Sequence, residues 1–130
     1  MLITAKRAAT ATLLACAFVA APSQAQEQTI KDGVFTEAQA VAGQDAYDAA
    51  CKACHDMKFY RDIWNGWEGK PLLNFWYLLV GEMPADNPGS LLDAEYTDIV
   101  AYILADMGFP AGTAALDPNN GMDAITVVAP

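Results

Sequence analysis

Residues Cys51-Lys52-Ala53-Cys54-His55 place two cysteines three positions apart, with a histidine directly after the second. At helical spacing both thiols lie on one side of a single turn. Three chemistries use such a pair: a zinc site, a redox dithiol and the covalent anchoring of a haem. Zinc needs four ligands, but His55 is the single histidine of the 130 residues and no cysteine follows it. A dithiol oxidoreductase would set the pair among strands alternating with helices, whereas the flanks here carry helical periodicity. The complete pattern C-x-x-C-H is the attachment sequence of haem c, with both thiols bound to the porphyrin edge and the histidine beneath the iron. One covalently bound haem c is the expected cofactor, with Cys51 and Cys54 as anchors and His55 as an iron ligand.

The N-terminus agrees on the compartment. Lys6 and Arg7 precede an apolar stretch over residues 8–21, and Ser23-Gln24-Ala25 then offers small residues where a signal peptidase cuts. Residues 1–25 read as a signal peptide cleaved after Ala25, which predicts a periplasmic chain, and haem attachment to this motif takes place outside the bacterial cytoplasm. Leu13-Leu14-Ala15-Cys16 loosely resembles a lipobox, but cleavage before Cys16 would leave an apolar mature end. Cys16 is therefore expected to be discarded with the signal. No later stretch approaches the roughly 18 to 20 apolar residues of a spanning helix, so no transmembrane segment is expected in the mature chain.

Residues 26–130 make a mature chain of 105 residues, the size of one small domain whose core a buried haem would help to fill. Within it 16 acidic residues face 5 basic ones, a net charge of −11. Such a field argues against nucleic acid and anionic lipid, and it would speed encounter with a basic patch on a partner; plain solubility explains the charge equally well.

Three helices are expected. The first starts at Thr36, whose hydroxyl caps it while Gln39 completes a capping box, and runs to about Ala53 past Val41, Tyr47 and the cysteines. The second covers residues 71–80, opening on Pro71 and carrying Leu72, Leu73, Phe75, Trp76, Leu78 and Leu79, apolar nearly all round. The third begins near Ser90 or Asp93 and stops before Gly108 and Pro110, with Tyr96, Ile99, Val100, Ile103 and Leu104 on one face. No strand pattern competes. The domain core is placed at about residues 34–116, between a polar leading segment and a polar tail over 117–130.

Gly43 and Tyr47 stand eight and four residues ahead of Cys51, and Ile99 and Tyr102 stand three apart on the last helix. In these features the chain resembles the class I cytochrome c family, a monohaem family. The resemblance implies an all-α, small cytochrome c fold in which the N- and C-terminal helices cross closely and the haem is buried between helices and loops. It also implies the second iron ligand: Met83 in Gly81-Glu82-Met83-Pro84, 28 residues after His55 and on a loop between two helices, matches the family's methionine loop. Met57 is too near His55 to reach the other side, and Met107 and Met122 are weaker rivals. More narrowly, Trp67-Glu68-Gly69-Lys70-Pro71-Leu72, the segments 83–91 and 95–104, and Gly108-Phe109-Pro110-Ala111-Gly112 are similar to cytochrome domains associated with periplasmic dehydrogenases.

One feature departs from the family. The common pattern has a proline soon after the histidine, whose carbonyl accepts the imidazole N–H; here the first proline is Pro71. Arg61, Trp64 and Trp67 in the intervening loop are candidate donors to haem propionates, with aromatic packing an equal alternative.

The expected role is a periplasmic carrier of single electrons, from a dehydrogenase donor to an oxidase or other terminal acceptor, and not an enzyme by itself. A dedicated subunit of a dehydrogenase complex is an alternative. A haem sensor or peroxidase-like protein with a detachable Met83 is another.

Overall fold

The computed structural model describes residues 27–130, so the expected signal peptide, its expected cleavage site and Cys16 lie outside the described residues. Helix α1 spans Glu37–Ala50 and begins as a capping box: the Thr36 hydroxyl accepts from Gln39 N–H at 3.2 Å, and the Gln39 side-chain oxygen accepts from Thr36 N–H at 3.2 Å. The same Gln39 amide reaches Leu116, accepting its N–H at 2.8 Å and donating to its carbonyl at 2.9 Å. One cap residue therefore starts α1 and fastens the segment after α4 beside it.

Helix α1 ends at Ala50, a few residues earlier than its periodicity suggests, and the motif forms the turn that follows. Helix α2, Met57–Ile63, comes next, capped by Asp56 accepting from Phe59 N–H at 3.0 Å, and a 3-10 turn over Trp64–Gly66 continues it. The heptapeptide is too short to show a period, and its cap is the one trace it leaves in the sequence. Helix α3, Leu72–Glu82, starts after Pro71, and α4, Asp93–Asp106, ends before Gly108, whose φ of +89° closes the helix. The architecture is a small all-α fold of four helices.

Its central contact is the crossing of α1 and α4. A Cβ added to Gly43 would lie 1.8 Å from the Asp98 carbonyl oxygen, so the two backbones touch where glycine alone permits it. Tyr47 and Tyr102 flank this point with ring centroids 5.4 Å apart, and Ile99 is buried beside it. The apolar face expected of α4 is the one it buries: Tyr96, Ile99, Val100, Ile103 and Leu104 are all in the core. Thr97 is buried among them, and its hydroxyl donates to the Asp93 carbonyl at 2.7 Å while accepting from Trp76 Nε1 at 3.0 Å. That tie between α3 and α4 removes the cost of a polar atom in the core.

Two further expectations change. Helix α3 is one-sided: Leu72, Phe75, Trp76 and Leu79 are buried, but Tyr77 and Leu78 face outward, 59% and 39% exposed. A continuous apolar sequence does not reveal which side has no neighbour. The core also continues past residue 116, for Met122, Ile125 and Val127 are buried. Strand β2, Ile125–Thr126, pairs in parallel with β1, Gln28–Thr29, and Val127 bonds the loop before α3, donating to the Lys70 carbonyl and accepting from Gly69 N–H, each at 2.9 Å. Trp64 Nε1 donates to the Val128 carbonyl at 3.1 Å. Both ends of the described residues are thus fastened on the α3 side of the core.

Gly43→Ala should separate α1 from α4 and lower unfolding free energy by about 3 kcal/mol. Gly66→Ala, where an added Cβ meets nothing within 4 Å, should stay within about 0.5 kcal/mol of the parent in the same urea titration. Burial raises the Asp98 carboxyl above the usual carboxylate range, partly offset by the Gln39 amide. A raised folded value means that the charged form opposes folding, so its stability cost appears as pH rises through that value. Asp98→Asn should therefore be more stable than the parent at pH 7, and urea titrations at falling pH should see that advantage vanish as the carboxyl becomes protonated.

Candidate functional site

The site is built where the end of α1 meets the loop after α3. Cys51 caps α1, with its N–H on the Tyr47 carbonyl at 2.8 Å, and the next turn is closed by Cys54 N–H and His55 N–H on the Cys51 carbonyl at 3.1 and 3.0 Å. The motif is therefore one helical turn, as its spacing predicts. Both cysteines are free thiols, Cys51 half-buried and Cys54 exposed, and burial pushes the Cys51 thiol up.

The His55 backbone is held from α1: the Tyr47 hydroxyl donates to the His55 carbonyl at 2.8 Å. The imidazole packs on the Phe59 ring at 4.7 Å between centroids, with Tyr60 at 6.1 Å. Tyr47 and Tyr60 are both buried, and burial, aided by the nearby Cys51, pushes the Tyr47 hydroxyl up to about 12 and that of Tyr60 further. Both are neutral at physiological pH, so Tyr47 is available as a donor.

Met83 follows the last turn of α3. Its N–H bonds the Leu79 carbonyl at 2.9 Å, its own backbone is extended, and the loop after it closes through Asn87 N–H on the Pro84 carbonyl at 2.9 Å and Gly89 N–H on the Met83 carbonyl at 3.3 Å. Tyr96, on α4, donates its hydroxyl to that same carbonyl at 2.6 Å.

These pieces share one cavity of about 400 Å³, lined by Ala49–Cys51, Ala53–His55 and Met83–Asp86. Two free thiols, one imidazole and one thioether around an alanine-walled space are the donor set a haem c requires, and the residues fit that group. Met83 is the methionine of this lining. Met122 is buried under α3 instead, Met57 opens α2 and Met107 caps α4. Among the described residues no three His, Cys, Asp or Glu side chains cluster as a metal site would need.

The loop candidates for propionate contact have other partners. Arg61 pairs with Asp106, Trp64 bonds the C-terminal backbone, and Trp67 packs on Phe75 at 5.1 Å under the Lys70 ammonium. The Pro71 carbonyl takes Asn74 N–H at 3.0 Å as α3 begins. Phe59, Tyr60 and the hydroxyl of Tyr96 are the site residues that sequence reasoning passed over. The Asp56 cap is the one signal that could have located the first two, and nothing local marks the third, whose partner lies 13 residues away in the chain.

No curated protein and no solved structure matches the chain. Residues 38–103, about half of it, match the family described as cytochrome C oxidase, cbb3-type, subunit III. The matched span runs from the first turn of α1 almost to the end of α4, and so includes the C-x-x-C-H motif, the Met83 loop and the helix crossing. Covalently bound haem c and electron transfer belong to this assignment. With its fold, its motif and its cavity in agreement, the chain belongs to the cbb3-type subunit III family and is a class I c-type cytochrome.

Proposed function

We propose that the protein is a periplasmic carrier of single electrons, taking them from a dehydrogenase and passing them to a terminal acceptor such as an oxidase. Cys51 and Cys54 would hold the haem covalently, and His55 and Met83 would ligate its iron. The observation that carries this reading is that His55 and Met83 line one cavity together with both thiols. When bound, the haem supplies a one-electron couple whose potential is raised by a thioether ligand.

The chain does the rest. Tyr47 orients the His55 backbone, Phe59 packs on the imidazole, and Ala49, Ala50 and Ala53 leave room for a flat macrocycle. An imidazole and a thioether from the chain leave no coordination position for a substrate, which favours a carrier over a catalyst. Among the described residues no helix is long and apolar enough to cross a membrane. Export rests on the leader sequence and on the compartment in which the motif is loaded.

Tyr77 and Leu78, exposed side by side on α3, favour a second reading in which the cytochrome is a permanent subunit of a dehydrogenase complex. Gel filtration of the protein purified from its own periplasm separates the two: a carrier elutes at the size of one small domain.

An optical spectrum of the purified protein should be that of a low-spin c-type haem, unchanged by carbon monoxide. Ready carbon monoxide binding would favour a sensor or peroxidase-like role with a detachable Met83. Met83→Ala should abolish the sulfur-to-iron absorption band near the red end of the spectrum and lower the reduction potential by an amount on the order of a few tenths of a volt. Cys51→Ala with Cys54→Ala should release haem from the chain in a denaturing gel, where the parent keeps it.

A further inference from the structure

Two tyrosine hydroxyls in this fold do the same thing at two places. Tyr47 of α1 donates to the His55 carbonyl at 2.8 Å, and Tyr96 of α4 donates to the Met83 carbonyl at 2.6 Å. Both rings are buried, each 2% exposed, and both belong to the helix pair that crosses at Gly43. Each residue read as an axial ligand thus has its backbone fastened to one member of a rigid pair.

We propose that Tyr96 is a positioning residue for Met83: its hydroxyl pins the Met83 carbonyl to α4, so that the α1–α4 crossing, acting through Tyr47 and Tyr96, holds the thioether at a set distance from the imidazole. This rests on the reading of Met83 as a ligand. The need for such a pin follows from what surrounds Met83. Residues 84–90 form no regular element, and Pro84 has no N–H with which to bond the preceding turn. The other donor to the Met83 carbonyl is Gly89 N–H at 3.3 Å, which belongs to the same loop and moves with it. Tyr96 ties that carbonyl to a helix instead. A methionine sulfur on a flexible side chain is a weak ligand, and holding its backbone reduces the entropy lost when the bond to iron forms.

The consequence is a closed site. External ligands such as imidazole can bind only while the thioether is away from the iron, so their affinity reads how firmly Met83 is held. Tyr96→Phe removes one hydroxyl and keeps the ring in the core. The loss of one hydrogen bond, worth about 1 kcal/mol, predicts imidazole binding about three- to tenfold tighter, with a weakened sulfur-to-iron band in the free protein.

The control is Trp76→Phe, which removes the bond from Trp76 Nε1 to Thr97 Oγ1 on α4, the helix that carries Tyr96, and breaks no hydrogen bond to Met83. Imidazole titrations of the holoprotein and the two variants, with urea titrations alongside, test the proposal. Tighter imidazole binding in Tyr96→Phe but not in Trp76→Phe, at similar losses of stability, supports it. Equal imidazole affinities in parent and Tyr96→Phe, or equal gains in both variants, overturn it while leaving Met83 as the ligand. A parent without a sulfur-to-iron band overturns the Met83 reading, and the proposal with it.

Discussion

The approach of α1 to α4 at Gly43 is the contact on which the rest of the structure depends. A side chain of any size there would meet the Asp98 carbonyl, so the two helices can be this close at no other residue type. That closeness brings the Tyr47 and Tyr102 rings together and buries the apolar stripe of α4. It also fixes the end of α1, where the C-x-x-C-H turn begins, relative to the helix whose Tyr96 bonds the Met83 carbonyl. A cavity whose two sides come from segments about thirty residues apart in the chain keeps its width because a helix pair holds both.

Side chains around that frame serve packing and polar satisfaction together. Trp76 and Thr97 bond each other in the core, Trp64 reaches the Val128 backbone, and among the described residues no buried side-chain nitrogen or oxygen lacks a partner. This matters in a low-dielectric interior, where an unpaired polar atom costs far more than a bond returns. The charges behave differently. Lys52 pairs with Asp48, Lys58 with Asp62 and Arg61 with Asp106, all at the surface where such pairs contribute little to stability. Their cations are largely neutralised locally, so the surplus of acidic residues sets the outer field and hence the sign of the partner surface it would attract.

The C-terminal segment shows how a small chain extends its core. Met122, Ile125 and Val127 enter it although Asp117, Asn119, Asn120, Gly121 and Asp123 give that region the composition of a loop. Three apolar residues spaced irregularly carry no period, so neither a helix nor a strand pattern announces them. What recruits them is the exposed backbone of Gly69 and Lys70 and the indole of Trp64, groups that need hydrogen-bond partners and find them in Val127 and Val128.

The sequence by itself determined the C-x-x-C-H turn, the capping of α1 by Thr36 and Gln39, the buried stripe of α4 and the pairing of Gly43 with Ile99 and Tyr102, because each follows from spacing within one helix or one turn. The tertiary structure alone decided which side of α3 is left open, where residues 117–130 go, and that Tyr96 reaches the carbonyl of Met83. Those outcomes depend on which groups become neighbours after the helices pack, and a hydrogen bond between an α4 hydroxyl and a loop carbonyl leaves no periodic trace in the chain.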